Sequence, residues 1–169
     1  MRLVFAVAAI ALAMVSGAHA EAPKWQVYQP KDGGFRIDMP GEPILKTTAR
    51  KSGGDAYSAL VSLDKSSADA DMVFLVKYAP MDRKPGPVTA GILDTVVKSM
   101  TEGGKLLSEK KEMLGGYPAE RFAIEDADKD TSELRSVITD HQFIQVIYLG
   151  PPGNPMGKRF LDSFAIVKP

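Results

Sequence analysis

Two stretches of the chain carry apolar residues on both faces of a period-two pattern. In residues 71–79, Phe74 falls on one side and Val73 and Leu75 fall on the other, and residues 141–149 repeat this arrangement. Because successive side chains of a strand point to opposite faces, strands of this kind are buried on both faces. The pattern predicts that the two strands lie in the middle of a sheet that is covered on both sides.

Other stretches alternate apolar and polar residues, as half-buried strands do, and are expected further from the sheet centre. They are residues 35–39, 57–63 and 121–125. Residues 105–113 are strand-like but rich in Lys and Glu, a composition that protects an exposed sheet edge. Because turns rich in Gly and Asp separate several of these stretches, neighbouring strands are predicted to be mostly antiparallel.

Helical spacing appears twice along the chain. Residues 88–100 carry an apolar i, i+4 stripe, and residues 155–164 begin with Pro and offer apolar side chains for packing. The aromatic segment from Trp25 to Tyr28 precedes both predicted helices in the chain. It is predicted to form a short strand that closes the core or, alternatively, a contact surface. The predicted fold class is α+β, with a central mostly antiparallel β-sheet and helices on both faces, in a single domain over residues 21–169.

The first twenty residues have the three parts of a secretory signal peptide. Arg2 is positively charged, residues 3–15 are almost entirely apolar, and Ala18 and Ala20 are the small residues that precede a cleavage site. We therefore expect residues 1–20 to be removed, which leaves 149 of the 169 residues. An apolar run of about thirteen residues is shorter than the roughly twenty that cross a bilayer, so no stable membrane anchor is expected in the mature form.

The composition of the chain indicates its cellular compartment and excludes one class of partner. The chain has no cysteine, and an exported protein without disulfides is more typical of the bacterial periplasm than of a eukaryotic extracellular space. The predicted localisation is therefore periplasmic or secreted. Loss of Arg2 reduces the 21 basic residues to 20, against 21 acidic ones. This balance predicts no nucleic-acid partner.

The residue types that usually carry catalysis are scarce. His19 is predicted to leave with the signal peptide, so His141 is the one histidine of the mature chain. Asp140 and His141 could act with a serine, but they join two predicted strands, where a solvated histidine is expected. Glu120 and Glu125 are predicted to lie on opposite faces of one strand, because their separation is odd. We predict no catalytic residue and no cofactor.

Asp126, Asp128 and Asp130 alternate as the carboxylates at the start of a calcium-binding loop do. Thr131 stands where such a loop has Gly, and Val137 stands where it has a bidentate Glu. An acidic hairpin tip is therefore the prediction, and the three aspartates are the candidate metal ligands.

Three segments of the chain together resemble a known family. They are residues 34–43 (GFRIDMPGEP), 116–122 (GYPAERF) and 159–164 (RFLDSF). With them, the chain resembles small exported bacterial proteins of the PsbP-like α/β/α sandwich fold, an antiparallel sheet between helical layers. The resemblance covers nearly all of residues 21–169 and implies a non-enzymatic accessory role.

These observations favour an exported, non-enzymatic accessory or binding protein of the bacterial periplasm, with another protein or an envelope component as its partner. Two alternatives stay open. One is a small-molecule or metal-ion binding protein. The other is a carboxylate-based enzyme, which would require a deep cleft with two converging carboxylates.

Overall fold

A computed structural model describes most of the region predicted to be the mature chain. The described residues are 22–31, 33–50, 54–63, 72–81 and 87–167, with residues 87–90 described by their backbone alone. Residues 1–20, for which the signal peptide is predicted, lie outside the described residues. No helix among the described residues is long and apolar enough to cross a membrane.

The described residues form ten strands and two helices. In chain order these are β1 (Gln26–Tyr28), β2 (Phe35–Met39), β3 (Ile44–Ala49), β4 (Asp55–Leu63), β5 (Met72–Pro80), α1 (Pro87–Met100), β6 (Lys105–Leu114), β7 (Tyr117–Glu125), β8 (Thr131–Ile138), β9 (Gln142–Leu149), α2 (Pro155–Ser163) and β10 (Ala165–Ile166).

Seven strands form one antiparallel sheet in the order β3-β4-β5-β9-β8-β7-β6. Strands β5 and β9 are neighbours near its middle, which confirms the prediction made from their two apolar faces. Strand β6 lies at one edge, as its Lys and Glu content predicted. The remaining strands form a three-stranded sheet in the order β1-β2-β10.

The larger core cluster joins the three-stranded sheet and α2 to the seven-stranded sheet. Aromatic rings fill it: Phe74 of β5 lies 5.4 Å from Phe160 of α2, and Phe35 of β2 lies 5.7 Å from Phe164, measured between ring centroids. Trp25 and Tyr28 pack against this cluster, which confirms that the first strand closes the core.

A second, smaller core cluster lies beneath α1. It contains Val97 of α1 together with Phe122, Leu134 and Ile147 from three strands. On β9, Ile147 belongs to this cluster, whereas Val146 and Tyr148 on either side of it belong to the larger one. Strand alternation therefore divides the apolar residues of β9 between two separate cores.

The described chain is mostly antiparallel sheet with two helices, and it is richer in strand than the sequence pattern predicted. Strand β3 was not predicted, because Ile44 and Leu45 are adjacent rather than alternating and the next three residues are polar. Strand β10 is only two residues long and pairs with β2 immediately after α2 ends. Helix α2 therefore shares its layer with three short strands.

Candidate functional site

The three aspartates singled out as candidate metal ligands form the tip of the β7–β8 hairpin. Asp126 Oδ1 accepts hydrogen bonds from the backbone N–H groups of Asp128, at 2.9 Å, and Asp130, at 3.0 Å. Lys129 has a left-handed backbone, with a φ of 72°, and its Nζ lies 2.9 Å from Glu125 Oε1. One carboxylate oxygen of Asp126 thus stabilises the turn, as Asp does in Asx turns.

The histidine singled out by the sequence lies in the tight turn between β8 and β9. His141 is exposed there, and the Asp140 carboxylate beside it accepts a hydrogen bond from the Tyr117 hydroxyl at 2.9 Å. That hydrogen bond raises the pKa of Tyr117. Asp140 is therefore held by a tyrosine of a neighbouring hairpin.

A cavity of about 360 Å³ opens beside this turn. It has mixed polar and apolar walls, formed by Gln29, Pro30, Lys31, Gly34, Tyr117, Thr139, Asp140, His141, Gln142, Ile166 and Val167. Its volume falls in the range of small-ligand sites. No serine is among the described residues that line it, so the structure places no nucleophilic hydroxyl of that type beside His141.

A cluster of three carboxylates lies beneath α1, away from both places that the sequence pointed to. It brings together Asp94 of α1, Glu109 of β6 and Glu120 of β7, with one oxygen from each lying within 4.8 Å of the others. The β6–β7 register pairs Lys111 with Glu120 and Glu109 with Phe122, so the side chains of Glu109, Lys111 and Glu120 share one face.

Glu120 is the buried member of this cluster. Its side chain is 1% exposed, and neither carboxylate oxygen has a hydrogen-bond partner in the structure. Burial of Glu120, and the hydrogen bond that its protonated form makes with the Glu109 carboxylate, raise the pKa of Glu120 from 4.5 to about 7, and the Lys111 ammonium opposes this rise. The ionised Glu120 carboxylate cannot donate and has no partner. A buried carboxylate without partners is uncommon, because the desolvated charge is not compensated.

The other members of the cluster reach solvent. Lys111 Nζ lies 2.5 Å from Asp94 Oδ1, and both side chains are more than half exposed. A cavity of about 170 Å³ adjoins Asp94, Lys111 and Glu120. Carboxylates therefore converge here, which is one of the two requirements of a carboxylate-based enzyme. The other is a deep cleft, and this cavity is smaller than typical sites for organic substrates.

The sequence pattern does not predict this cluster, because spacing along β7 relates Glu120 only to Glu125 on the same strand. The available signal was the Gly115-Gly116 turn, whose two positive φ values are those of a two-residue hairpin loop. Such a loop fixes the pairing of the strands on either side and so places Lys111 opposite Glu120. The contribution of Asp94 had no local signal, because α1 is distant in sequence from β7.

The two edges of the seven-stranded sheet are protected to different degrees. Five of the ten residues of β6 are charged, whereas Lys46 is the only charged residue of β3. All six residues of β3 are exposed, including Ile44 at 60% and Leu45 at 63%. Edge strands in natural proteins usually carry charges that discourage pairing with another chain, and β3 lacks most of this protection.

Comparisons with known proteins show which fold the chain has and do not assign it to a family. No protein-family model matches the chain, and no curated protein matches it. Among solved structures, the chain is similar to the cyanobacterial PsbP (CyanoP) of Synechocystis sp. PCC 6803, with a TM-score of 0.50 and 12% sequence identity. The similarity covers 90% of this chain and 98% of that one. The chain therefore has a PsbP-like fold, as its three sequence segments predicted.

Proposed function

We propose that this chain is an exported, non-enzymatic accessory protein of the bacterial periplasm that binds an extended segment of a partner protein along β3. The observation that carries the proposal is the unprotected β3 edge. A strand added at such an edge would satisfy the outward backbone N–H and C=O groups of β3.

The chemistry of β3 defines the segment that would bind. The outward backbone groups favour an extended strand, and the exposed side chains of Ile44 and Leu45 favour apolar side chains on it. Lys46 is the one charge on the strand, so an acidic residue in the partner segment would add a favourable contact. The PsbP-like fold supports an accessory role by analogy.

Export and a periplasmic location belong to the same proposal. The charged, apolar and small-residue regions of residues 1–20 support export, and the absence of cysteine supports a bacterial envelope. The balanced charge of the remaining chain is compatible with a protein partner and unfavourable for nucleic acid.

The test is site-specific photo-crosslinking in intact cells, with matched positions on the two sheet edges. A photoreactive residue replaces Leu45 on β3 in one variant and Met113 on β6 in the other; these side chains are 63% and 66% exposed. We expect position 45 to capture one envelope protein through a short extended segment, identified by mass spectrometry. Position 113 should capture it weakly or not at all.

A Leu45→Lys substitution completes this test, because a charge on an edge strand discourages strand addition. In this variant the photoreactive residue replaces Ile44 instead. We expect its circular dichroism spectrum to show a folded protein and its crosslinking to the partner to be lost. Equal capture at both edges would contradict the proposal, as would retention of the partner by Leu45→Lys. Capture of a second copy of this chain would replace an accessory role with self-association.

The cavity beside the β8–β9 turn favours a second candidate function, small-molecule binding. Its volume of about 360 Å³ and its mixture of Lys31, Asp140 and His141 with apolar walls suit a small polar ligand. A thermal-shift screen of periplasmic metabolites tests this function, with Tyr117→Phe as the variant that releases Asp140. A metabolite that raises the Tm of the original chain and of Tyr117→Phe equally would bind outside this cavity.

For the fold, we propose the three-layer order of an α/β/α sandwich. The support is that α1 and α2 contribute to separate cores, whose residues alternate along β9. Nuclear Overhauser contacts from Val97 to Ile147, and from Phe160 to Tyr148, would test this order. Contacts from both helices to the same β9 side chains would contradict it.

A further inference from the structure

The geometry points to a binding site for one hard divalent cation beneath α1, formed by Asp94 of α1, Glu109 of β6 and Glu120 of β7. This inference is independent of partner binding at β3, which lies at the opposite edge of the same sheet. It also differs from the acidic hairpin tip at Asp126.

The spacing of the carboxylates suits a shared ion. One oxygen from each side chain lies within 4.8 Å of the others. Ligand oxygens bound to Ca²⁺ lie 2.3–2.6 Å from the ion, so two of them on opposite sides are roughly 4.6–5.2 Å apart. The three oxygens could therefore contact one cation with small side-chain rotations. The three elements that carry them are held by hairpin pairing and by the packing of α1.

Glu120 gives the second, independent indication of a ligand. It is 1% exposed, it faces the other two carboxylates, and both of its oxygens lack a hydrogen-bond partner. Native proteins rarely leave such a group uncompensated, because the buried charge is desolvated without a partner. A cation bound by both Glu120 oxygens would compensate it.

The charge of the cluster matches a divalent ion. Once Glu120 is ionised, the three carboxylates and the Lys111 ammonium together carry a net charge of −2. All donor atoms are carboxylate oxygens, which favour Ca²⁺, Mn²⁺ or Mg²⁺ over the ions that prefer nitrogen or sulfur. The adjoining cavity of about 170 Å³ has room for the water ligands that these ions retain.

Lys111 limits the affinity of this site. Its ammonium group is paired with Asp94 and repels a cation placed among the carboxylates. The Asp94 oxygen that Lys111 does not contact is the one expected to bind the ion. Removal of the ammonium group should therefore tighten cation binding.

The test is a titration of the purified full mature chain with Mn²⁺ at about pH 8. The solution electron paramagnetic resonance signal of free Mn²⁺ measures how much of the ion is bound. We expect one Mn²⁺ per chain, displaced by Ca²⁺. At a Mn²⁺ concentration of about one hundred times Kd, Tm should rise by about 5–10 °C. Glu120→Gln should abolish both effects while the protein stays folded.

Two further variants make the result specific. Asp128→Asn removes a carboxylate from the hairpin tip and should leave Mn²⁺ binding and the Tm shift unchanged. Lys111→Gln should lower Kd about tenfold. The inference is overturned if millimolar Mn²⁺ and Ca²⁺ leave both measurements unchanged, if Glu120→Gln still binds, or if Asp128→Asn removes the binding.

Discussion

At the scale of single residues, the buried ring of Tyr148 leaves no room for a side chain at Gly157. A Cβ atom at this position of α2 would lie 2.5 Å from Tyr148 Cε1, and the Tyr148 side chain is fully buried. The ring cannot move without disturbing the larger core, where it packs against Phe74 at a centroid distance of 5.3 Å. Gly157 thus lets α2 approach β9 closely.

We expect Gly157→Ala to destabilise the protein by about 1–3 kcal/mol, because overpacking outweighs the helical preference of Ala. Gly91 in α1 is the matched control, since among the described residues no atom beyond the helix's own backbone lies within 4 Å of a Cβ placed there. Gly91→Ala should stabilise the protein by up to ~1 kcal/mol. Urea unfolding measures both free energies, and two changes of the same sign would contradict this account.

The pH dependence of stability is set in part by Glu120. Its pKa rises from 4.5 to about 7 because of burial and the neighbouring Glu109. An acid with a raised pKa in the folded state favours folding when protonated, so its contribution is fully present below pH 4.5. It is lost as the pH rises from 4.5 to about 7 and stays lost above that value. The pKa change corresponds to about 3 kcal/mol.

We therefore expect Glu120→Gln to be more stable than the original chain above pH 7 and to lose less stability between pH 4.5 and 7. The charged groups facing Glu120 are Glu109, Asp94 and Lys111. Urea unfolding at several pH values in the presence of a chelator isolates the effect from bound cations. Parallel stability profiles for the two proteins would contradict it.

At the scale of secondary-structure elements, Arg135 joins β6, β8 and α2. Its Nε lies 2.6 Å from Glu112 Oε1, and its Nη1 donates to the backbone carbonyl of Leu161 at 3.1 Å. Both charged side chains are largely buried, whereas the Lys158–Asp162 pair on α2 is exposed. Arg135 is therefore expected to contribute more to stability than Lys158.

We expect Arg135→Met to destabilise the protein by about 2–3 kcal/mol, because it leaves Glu112 and the Leu161 carbonyl without their shared donor. Lys158→Met, at an exposed i, i+4 pair, should change stability by less than about 0.5 kcal/mol. Thermal and urea unfolding of both variants provide the measurement. Equal effects would mean that burial does not distinguish these ion pairs.

At the scale of the whole molecule, the proposed export predicts a defined mature N-terminus. When the full chain is expressed in a bacterium, the periplasmic product should begin at Glu21, and its mass should lack residues 1–20. Ala20→Phe should block cleavage, because the peptidase requires a small residue there. Lys24→Ala, beyond the cleavage position, should be processed normally. Intact-mass spectrometry would contradict the proposal if the product retained residues 1–20.

Local patterns were sufficient to predict most of the large sheet. The double-faced apolar pattern of β5 and β9 is a local property, and only a central position buries both faces. The charged residues of β6 similarly indicated an edge. Strand β3 was not predicted because its pairing with β4 is decided by tertiary contacts, and its own residues carry no alternation.

The sequence by itself determined most of the strands, both helices and the scarcity of catalytic residue types, because these depend on residue spacing and composition. Only the tertiary structure decided that Asp94, Glu109 and Glu120 meet, since α1 must dock on β7 before their charges interact. It also decided that Glu120 is buried with neither carboxylate oxygen hydrogen-bonded, whereas the turn that Asp126 stabilises is local and was predicted as an acidic hairpin tip. Charge and burial in the carboxylate cluster depend on residues distant along the chain, and spacing within one element does not contain that information.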